Sequence, residues 1–356
     1  MTNKIKAVVI DDSAFMRKSL SIILSSDPDI EIVGTARDGL EGFELIKNTK
    51  PDIVTLDIEM PRMDGLTALK KIMAECPTQV VMVSSLTTDG AEATIKALEL
   101  GAVDFIPKEM SFVSVNIVNI KEELIRKIKT LVKSKALTSR LQKIRTLGGK
   151  PGEEISKSKT TGNLPKFGYK AIALGISTGG PLSLQKVIPF LKQQNDVPIF
   201  IVQHMPPKFT KSLADRLNNM SALTVKEAED REEVQNGTVY IAPGGFHMKM
   251  SKNGNGKVYV NISENPGDTL HRPSVDVMLE SVLDVYGKYT LGIIMTGMGK
   301  DGAEGIKHLK QLGGYCMAQD ESTCVVYGMP KAIVDAGYAD VIAPLEKISE
   351  IINKAL

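Results

Sequence analysis

The sequence has no tryptophan, only three cysteines and few aromatic residues, which make up 5% of the chain. Cys76, Cys316 and Cys324 are too few and too widely spaced to form a disulfide framework or a metal cluster. We therefore expect small, buried thiols in a protein that works in the reducing environment of the cytoplasm.

Long apolar segments and an excess of charge of either sign are also missing. Stretches such as 197–202 and 291–295 are far shorter than the roughly 20 residues that span a membrane. The first residues, MTNKIKAVVIDD, lack the apolar core and cleavage site of a signal peptide. The formal net charge of +2 gives no electrostatic reason to bind nucleic acid or acidic lipid. We expect a cytoplasmic protein that binds no nucleic acid and does not insert into a membrane.

The chain contains two regions in which apolar segments alternate with amphipathic, helix-period segments. In the first, five apolar segments lie between residues 7 and 106, and in the second the alternation begins near Tyr169 and continues to the end. Strands that are apolar throughout are typical of parallel sheets covered on both faces. The pattern predicts two doubly wound α/β domains, a five-stranded flavodoxin-like one and a Rossmann-like one.

The two regions are separated by a segment of different composition. Residues 121–145 are helix-prone and rich in Lys and Leu, and GGKPGEEISKSKTTGNLPKFG then has almost no apolar content. Such a segment cannot bury enough surface to offset its ordering entropy, which favours a flexible linker, although its lysines could instead form a basic contact patch. We predict domains at 1–125 and 168–356, joined by a linker at 126–167.

Five polar residues follow strands of the first region. Asp11 and Asp12 come after the first strand, Asp57 ends the third, and the fourth and fifth end in Ser84 and Lys108. The carboxyl ends of parallel strands share one edge of the sheet, where converging carboxylates favour a hard cation such as Mg²⁺. Asp57 could form an acyl phosphate there, with the hydroxyl and the ammonium group binding phosphoryl oxygens. One aspartate alone would be a helix cap, but five such residues together predict a phosphoacceptor site.

A serine follows the first strand of the second region. GISTGGP runs from that strand into a helix, so Ser177 lies on a strand–turn–helix corner beside Gly179 and Gly180. Its hydroxyl would be exposed next to backbone N–H groups, as a nucleophile requires. The motif differs from G-x-S-x-G, and a serine before a helix can simply be an N-cap.

A base and an acid follow other strands of the same region. His204 comes directly after the apolar strand VPIFIVQ, and Asp301 lies in TGMGKDG after TLGIIM. Strand-end Ser, His and Asp can act together, since the histidine takes the serine proton and the acid orients the imidazole. His308 reads as a surface residue, while His247 and His271 lie near turns; His204 could still be a structural histidine.

The first region resembles the response-regulator receiver family. VVIDDSAFMR, VTLDIEMPRMDG, VMVSS and DFIPKE match its signature segments over about residues 5–125. The resemblance implies phosphorylation by a histidine kinase in the presence of Mg²⁺. The residues it implies are Asp57 as the phosphorylation site, Asp11, Asp12 and Asp57 as metal ligands, and Ser84 and Lys108 as the phosphate-sensing pair.

The second region resembles the CheB-type chemotaxis methylesterases. LGISTGGP, VQHMPPKFT, YIAPGGFHM, HRPSVDVM, IIMTGMGKDGAEG and AQDESTCVVYGMP are similar to that family's segments. The resemblance implies a nucleophile, general base and orienting acid at Ser177, His204 and Asp301. It also implies an oxyanion donor at the Met298 backbone N–H, with Thr178 as a weaker candidate.

Together the resemblances imply a phosphorylation-activated serine hydrolase in chemotaxis. It would demethylate glutamate methyl esters, and deamidate certain glutamines, on methyl-accepting chemoreceptors, without a cofactor for the ester reaction. The alternative is a response regulator without enzymatic activity, whose second domain only binds a partner. A transcription factor is disfavoured, because the sequence shows no basic recognition helix.

Overall fold

A computed structural model of the chain describes residues 4–108, 117–134, 160–193 and 196–356. The chain divides into two compact units, Met1–Ile155 and Ser156–Leu356. Each unit contains a parallel sheet, of five and seven strands respectively, which confirms the prediction of two doubly wound α/β folds. Among the helices of the described residues, none combines the length and apolar character needed to cross a bilayer.

The sheet of the first unit has the strand order β2-β1-β3-β4-β5, with every neighbouring pair parallel. The strands are β1 (Ile5–Ile10), β2 (Ile30–Ala36), β3 (Ile53–Asp57), β4 (Gln79–Ser84) and β5 (Asp104–Pro107). The helices are α1 (Ala14–Ser25), α2 (Gly39–Thr49), α3 (Gly65–Glu75), α4 (Thr88–Glu99) and α5 (Ile117–Lys133). Every residue of β3 and β4 is buried, as expected of strands covered by helices on both faces.

Helix caps fix the turns that follow the strands of this unit. The Ser13 hydroxyl accepts a hydrogen bond from the Met16 N–H and starts α1 directly after the β1 turn. Asp38, Asp64 and Thr87 cap α2, α3 and α4 in the same way. These caps satisfy N–H groups that would otherwise lack partners, so each helix begins at a defined distance from its strand.

The sheet of the second unit has the order β14-β13-β12-β6-β7-β9-β8, again parallel throughout. Its strands are β6 (Ala171–Ile176), β7 (Ile199–Gln203), β8 (Thr224–Glu227), β9 (Thr238–Ile241), β12 (Thr290–Ile294), β13 (Tyr315–Gln319) and β14 (Val341–Ala343). Its helices are α6 (Gly180–Gln185), α7 (Phe209–Met220), α8 (Val275–Tyr286), α9 (Ala303–Gln311), α10 (Met329–Asp335) and α11 (Leu345–Ala355). The short strands β8 and β14, at the two edges of this sheet, were not predicted from the sequence.

The strand order places a topological switch point in the middle of the second sheet. The chain builds β6, β7 and β9 outward in one direction, then returns to the other side of β6 for β12 and β13. The turns after β12, β6 and β7 therefore lie side by side at the carboxyl edge. A crevice forms at such a reversal and is the usual place for a site in an open α/β sheet.

An antiparallel hairpin lies outside this sheet and supports α8. It consists of β10 (His247–Lys252) and β11 (Val258–Ser263). Met248 and Met250 belong to the same buried cluster as Met278 of α8, and the Met250 N–H donates to the Ser281 hydroxyl at 3.0 Å. The hairpin thus fixes the helix whose first turn faces the carboxyl edge.

Both ends of the predicted linker, 126–167, have defined structure where they are described. Helix α5 continues to Lys133 in the first unit, and Lys129 pairs with Asp27 at 3.0 Å. In the second unit, Thr161 pairs antiparallel with Ile342, and the Phe167 ring lies 4.9 Å from that of Tyr315. The middle of the predicted linker, 135–159, lies outside the described residues.

A substitution at Phe200 tests how much the core contacts of β7 contribute to the stability of the second unit. This side chain is fully buried and stacks on Tyr240 with ring centroids 5.7 Å apart. We expect Phe200→Ala to destabilise the second unit by about 3–5 kcal/mol, because it leaves a cavity in the core. Urea unfolding followed by circular dichroism measures the change. Leu312→Ala, at a site that is 41% exposed, is the control, and an equal loss there would contradict the assignment.

Candidate active site

Ser177 lies on a tight turn between β6 and α6, partly exposed at the carboxyl edge. Its N–H donates to the Thr296 carbonyl at 2.9 Å, and its own carbonyl accepts from the Gly180 N–H at 2.8 Å. Gly179 has a φ of +78°, and a Cβ there would lie 2.5 Å from Val325. Glycine is therefore required on both conformational and steric grounds, and the turn holds the serine in one orientation.

His204 follows β7, and among the described residues its imidazole is hydrogen-bonded through one nitrogen only. Nε2 lies 2.7 Å from Asp301 Oδ2. Nδ1 is buried and makes no hydrogen bond within the described parts of the chain. Ser177 Oγ and the imidazole are likewise not hydrogen-bonded to each other there. The face of the ring stacks on His271, with centroids 4.2 Å apart. Nδ1 is thus the nitrogen left for a proton from the serine.

Asp301 rests on the amino terminus of α8. Its carboxylate accepts hydrogen bonds from the N–H groups of Val275 at 2.7 Å and Asp276 at 3.1 Å, and from the Ser274 hydroxyl at 2.9 Å. Burial alone would raise the pKa of Asp301, but the hydrogen bond and charge of His204 and the two N–H donors outweigh it. The pKa is held well below its usual range. An ionised carboxylate fixes the imidazole as the Nε2–H tautomer, with Nδ1 free to accept a proton.

His247, another candidate base, is fully buried. Its Nδ1 accepts from the Ser274 N–H at 3.2 Å, and its Nε2 lies 3.1 Å from the Pro266 carbonyl, to which it donates. Burial lowers the pKa of His247, so the ring is neutral. It is a structural histidine that holds the loop leading into α8. His308 pairs with Glu280 at 2.7 Å on the face of α9, away from the edge that carries Ser177.

Thr296, which the sequence analysis did not single out, joins the turns after β6 and β12. Its hydroxyl donates to the Thr178 carbonyl at 3.0 Å, and its N–H donates to the Gln319 side chain at 2.9 Å. The next residue packs so tightly that a Cβ on Gly297 would lie 2.8 Å from Ser177 Cβ. Met298 directly follows Gly297 in the chain, and Thr178 directly follows Ser177. Their role as oxyanion donors stays a prediction.

The carboxylates of the first unit also come together. Asp57 and Asp11 are buried, and Lys108 Nζ lies 2.7 Å from Asp57 Oδ2 and 3.8 Å from Asp11 Oδ2. Burial raises the pKa of Asp57 to about 6, although the hydrogen bond from the lysine opposes this. Burial likewise raises the pKa of Asp11. Two buried carboxyl groups thus face a single ammonium group.

Asp12 and Ser84 complete the set predicted for the first unit. One carboxylate oxygen each from Asp11, the exposed Asp12 and Asp57 lie within 4.8 Å of one another. Asp11 Oδ2 is buried without a hydrogen-bond partner among the residues described. The Ser84 hydroxyl donates to the Gly90 carbonyl at 3.0 Å and would have to rotate to reach a phosphoryl group on Asp57.

Several polar side chains that support the site could not be given this role from the sequence. Ser274, His271 and Gln203 all contact a predicted catalytic residue. A weak signal exists for one of them, since a glutamine that ends an otherwise apolar strand is unusual in a buried position. The other contacts join segments far apart in the chain, and no local pattern indicates them.

Asp276 provides a test of the charge balance around Asp301. Burial and the neighbouring Asp301 charge raise the pKa of Asp276 to about 6, against the hydrogen bond from the Gly305 N–H. The folded protein then binds a proton that the unfolded chain has lost, so stability falls as pH rises from about 4 to about 6. We expect Asp276→Asn to remove this loss and to stabilise the second unit at pH 7.5 by at most about 3 kcal/mol.

Urea unfolding at pH 5 and at pH 7.5 measures this effect. Asp284→Asn, an exposed change on the same helix, is the matched control. A gain from Asp276→Asn that is the same at both pH values would contradict the burial of a titrating carboxyl group.

Comparison with known proteins shows which families the two units are similar to. A family model described as CheB methylesterase matches residues 172–352, and one described as response regulator receiver domain matches residues 7–116. A protein-glutamate methylesterase/protein-glutamine glutaminase of Oleidesulfovibrio alaskensis is 49% identical over 99% of both chains. That of Pyrococcus horikoshii is 46% identical over 100% of this chain and 95% of its own.

A solved structure is similar to the second unit. The crystal structure of the Thermotoga maritima CheB methylesterase catalytic domain is 48% identical, with a TM-score of 0.51, and covers 53% of this chain and 99% of its own. The similarity to whole relatives extends over both units, in the same order along the chain. The chain therefore belongs to the CheB methylesterase family, with a response-regulator receiver domain ahead of the methylesterase domain.

Proposed function

We propose that the protein is a phosphorylation-activated serine hydrolase that demethylates glutamate methyl esters on chemoreceptors, and deamidates specific glutamines, during chemotactic adaptation. The names of its relatives, protein-glutamate methylesterase/protein-glutamine glutaminase, support both activities. The observation that carries the catalytic proposal is the His204–Asp301 pair at the sheet edge that also carries Ser177. Without such a pair a serine hydroxyl is a poor nucleophile.

The chemistry follows from the two nitrogens of His204. Ser177 Oγ attacks the ester carbonyl and its proton passes to Nδ1, while Asp301 stabilises the imidazolium through Nε2. Nδ1 then gives the proton to the departing oxygen, methanol leaves and an acyl-enzyme remains. Water attacks the acyl group with the same nitrogen as base, which releases glutamate and restores the serine. With a glutamine side chain, ammonia leaves instead of methanol.

Charge on the carbonyl oxygen needs stabilisation while these bonds form. We assign this to the Met298 N–H, with the Thr178 N–H as a second donor. One such donor typically contributes about 10²–10³ in rate. Each proton transfer and each charge in this scheme is assigned to a residue of the chain, so the ester reaction is proposed to proceed without a cofactor.

In the receiver domain, Asp57 is the proposed phosphoacceptor and a chemotaxis histidine kinase the proposed donor. Asp11, Asp12 and Asp57 would hold Mg²⁺, which fits the Asp11 oxygen that makes no hydrogen bond among the described residues and the oxygen-only ligand set. Bound Mg²⁺ would supply positive charge that offsets repulsion between the carboxylates and phosphoryl oxygens. Lys108 and Ser84 would bind the phosphoryl group. The cytoplasm is the proposed location, where the kinase and the signalling regions of receptors meet.

Ser177→Ala is the direct test of the hydrolase. We expect methanol release from methylated receptor to fall at least about 10³-fold, because no nucleophile remains, while Asp57 is still phosphorylated. Methanol is measured with and without a phosphodonor, which should accelerate the wild type. Ser221→Ala is the matched control, since that hydroxyl has no hydrogen-bond partner in the described structure.

Two outcomes would refute different parts of the proposal. Methanol release by Ser177→Ala at the wild-type rate would remove the serine from the mechanism. A phosphorylated wild type that releases no methanol at all would instead support the regulator without enzymatic activity.

Mg²⁺ binding can be measured through thermal stability. We expect Mg²⁺ to raise the melting temperature of the receiver domain, equivalent to about 1.4 kcal/mol at ten times the Kd. Asp57→Asn should abolish the shift, because it removes a charged ligand. Asp89→Asn, an exposed change in α4, should retain it. An equal shift in both variants would place the cation elsewhere.

A further inference from the structure

Gln203 lies between the turn that carries Ser177 and the turn that carries His204. It is the last residue of β7, is only 2% exposed and directly precedes His204. In the sheet it pairs with Ile176, the residue before Ser177. Its side chain is therefore enclosed at the point where the nucleophile turn and the base turn leave adjacent strands.

The carboxamide of Gln203 binds both turns at once. Nε2 donates to the Ser177 carbonyl at 2.9 Å and to the His204 carbonyl at 3.2 Å. Both partners are acceptors, so only the NH₂ end of the amide can satisfy them and its orientation is fixed. A single planar group thus sets the distance between the backbones of the two residues.

The carbonyl end of the Gln203 amide explains why residue 180, in the turn after Ser177, is a glycine. Gln203 Oε1 is buried and has no hydrogen-bond partner within the described residues. A Cβ on Gly180 would lie 1.8 Å from this oxygen, so a side chain at 180 would displace the amide. A buried carbonyl without a partner is costly and uncommon. The structure nevertheless contains such a carbonyl at Gln203, and the two hydrogen bonds donated by Nε2 offset its cost.

We infer that Gln203 is a positioning residue of the esterase, which holds the Ser177 and His204 turns at the separation that proton transfer requires. The inference rests on the proposed roles of these two residues. It follows from the steep dependence of such reactions on geometry, since small misplacements of reacting groups lower the rate strongly. Gln203 would then act on kcat and leave receptor binding unchanged.

The test uses the full-length protein and two substitutions. Gln203→Met keeps the length of the side chain and removes both donors. Gln203→Glu keeps its shape and sets a carboxylate oxygen against two carbonyl oxygens. We expect kcat for methanol release to fall about 10–100-fold in both, with KM within about twofold of wild type. As the pH falls, Gln203→Glu should recover relative to wild type, because a protonated carboxyl can donate one hydrogen bond.

A fluorophosphonate probe separates positioning from folding. It phosphonylates Ser177 Oγ with loss of fluoride, and the serine proton passes to His204. The labelled fraction at completion counts folded protein, whereas the labelling rate reports activation of the serine. Both Gln203 variants should label slowly to a normal end point. Ile352→Ala, a core change in α11, should lower stability but keep the wild-type rate per labelled site.

Gly180→Ala disturbs the same contact, because its methyl group would displace the Gln203 amide. It provides a test if the Gln203 variants do not fold. We expect it to lower kcat like Gln203→Met, and to have a smaller effect when combined with Gln203→Ala, where its methyl group has room. Wild-type kcat per labelled site in Gln203→Met, or independent effects in the double variant, would overturn the inference. A wild type that is not labelled at Ser177 would instead overturn the proposed function.

Discussion

The hydrogen bond between Asp301 and His204 is the interaction on which the esterase site depends. It joins the turns after β12 and β7, with the Ser177 turn between them. The pKa of Asp301 stays low because the hydrogen bond and charge of His204, together with the N–H groups of the first turn of α8, outweigh its burial. Helix α8 is in turn fixed by the β10–β11 hairpin packed against it. The chemistry at the sheet edge thus depends on a helix and a hairpin that contribute no reacting group.

Much of the fold followed from the sequence, because buried parallel strands produce apolar segments that no surface strand shows. The strand-end residues followed from the same reasoning. Once the strands were identified, Ser177, His204 and Asp301 had to lie along one edge, and so did Asp11, Asp57 and Lys108 in the receiver. The two edge strands β8 and β14 escaped prediction because they are short, and β8 is only partly buried.

The support around the site could not be predicted, since it consists of contacts between distant segments. His247 reads like a candidate base, yet it is a neutral buried ring that holds the loop before α8. The hydrogen bond that the Ser274 hydroxyl donates to Asp301 depends on the position of a whole helix. Sequence patterns report periodicity and chain order, whereas the hydrogen-bond partners of a buried polar group depend on three-dimensional packing.

The orientation of the His204 ring has a consequence for how this site can be observed. In the serine proteases the carboxylate binds Nδ1 and the serine faces Nε2, whereas Asp301 here binds Nε2. The nitrogen that accepts the proton is then Nδ1, which is closer to Cβ than Nε2 is. Its position therefore depends more on the main chain than on the tip of the ring. Nuclear magnetic resonance of the Nε2 proton would report on the carboxylate side. The reacting side would be visible only at Nδ1.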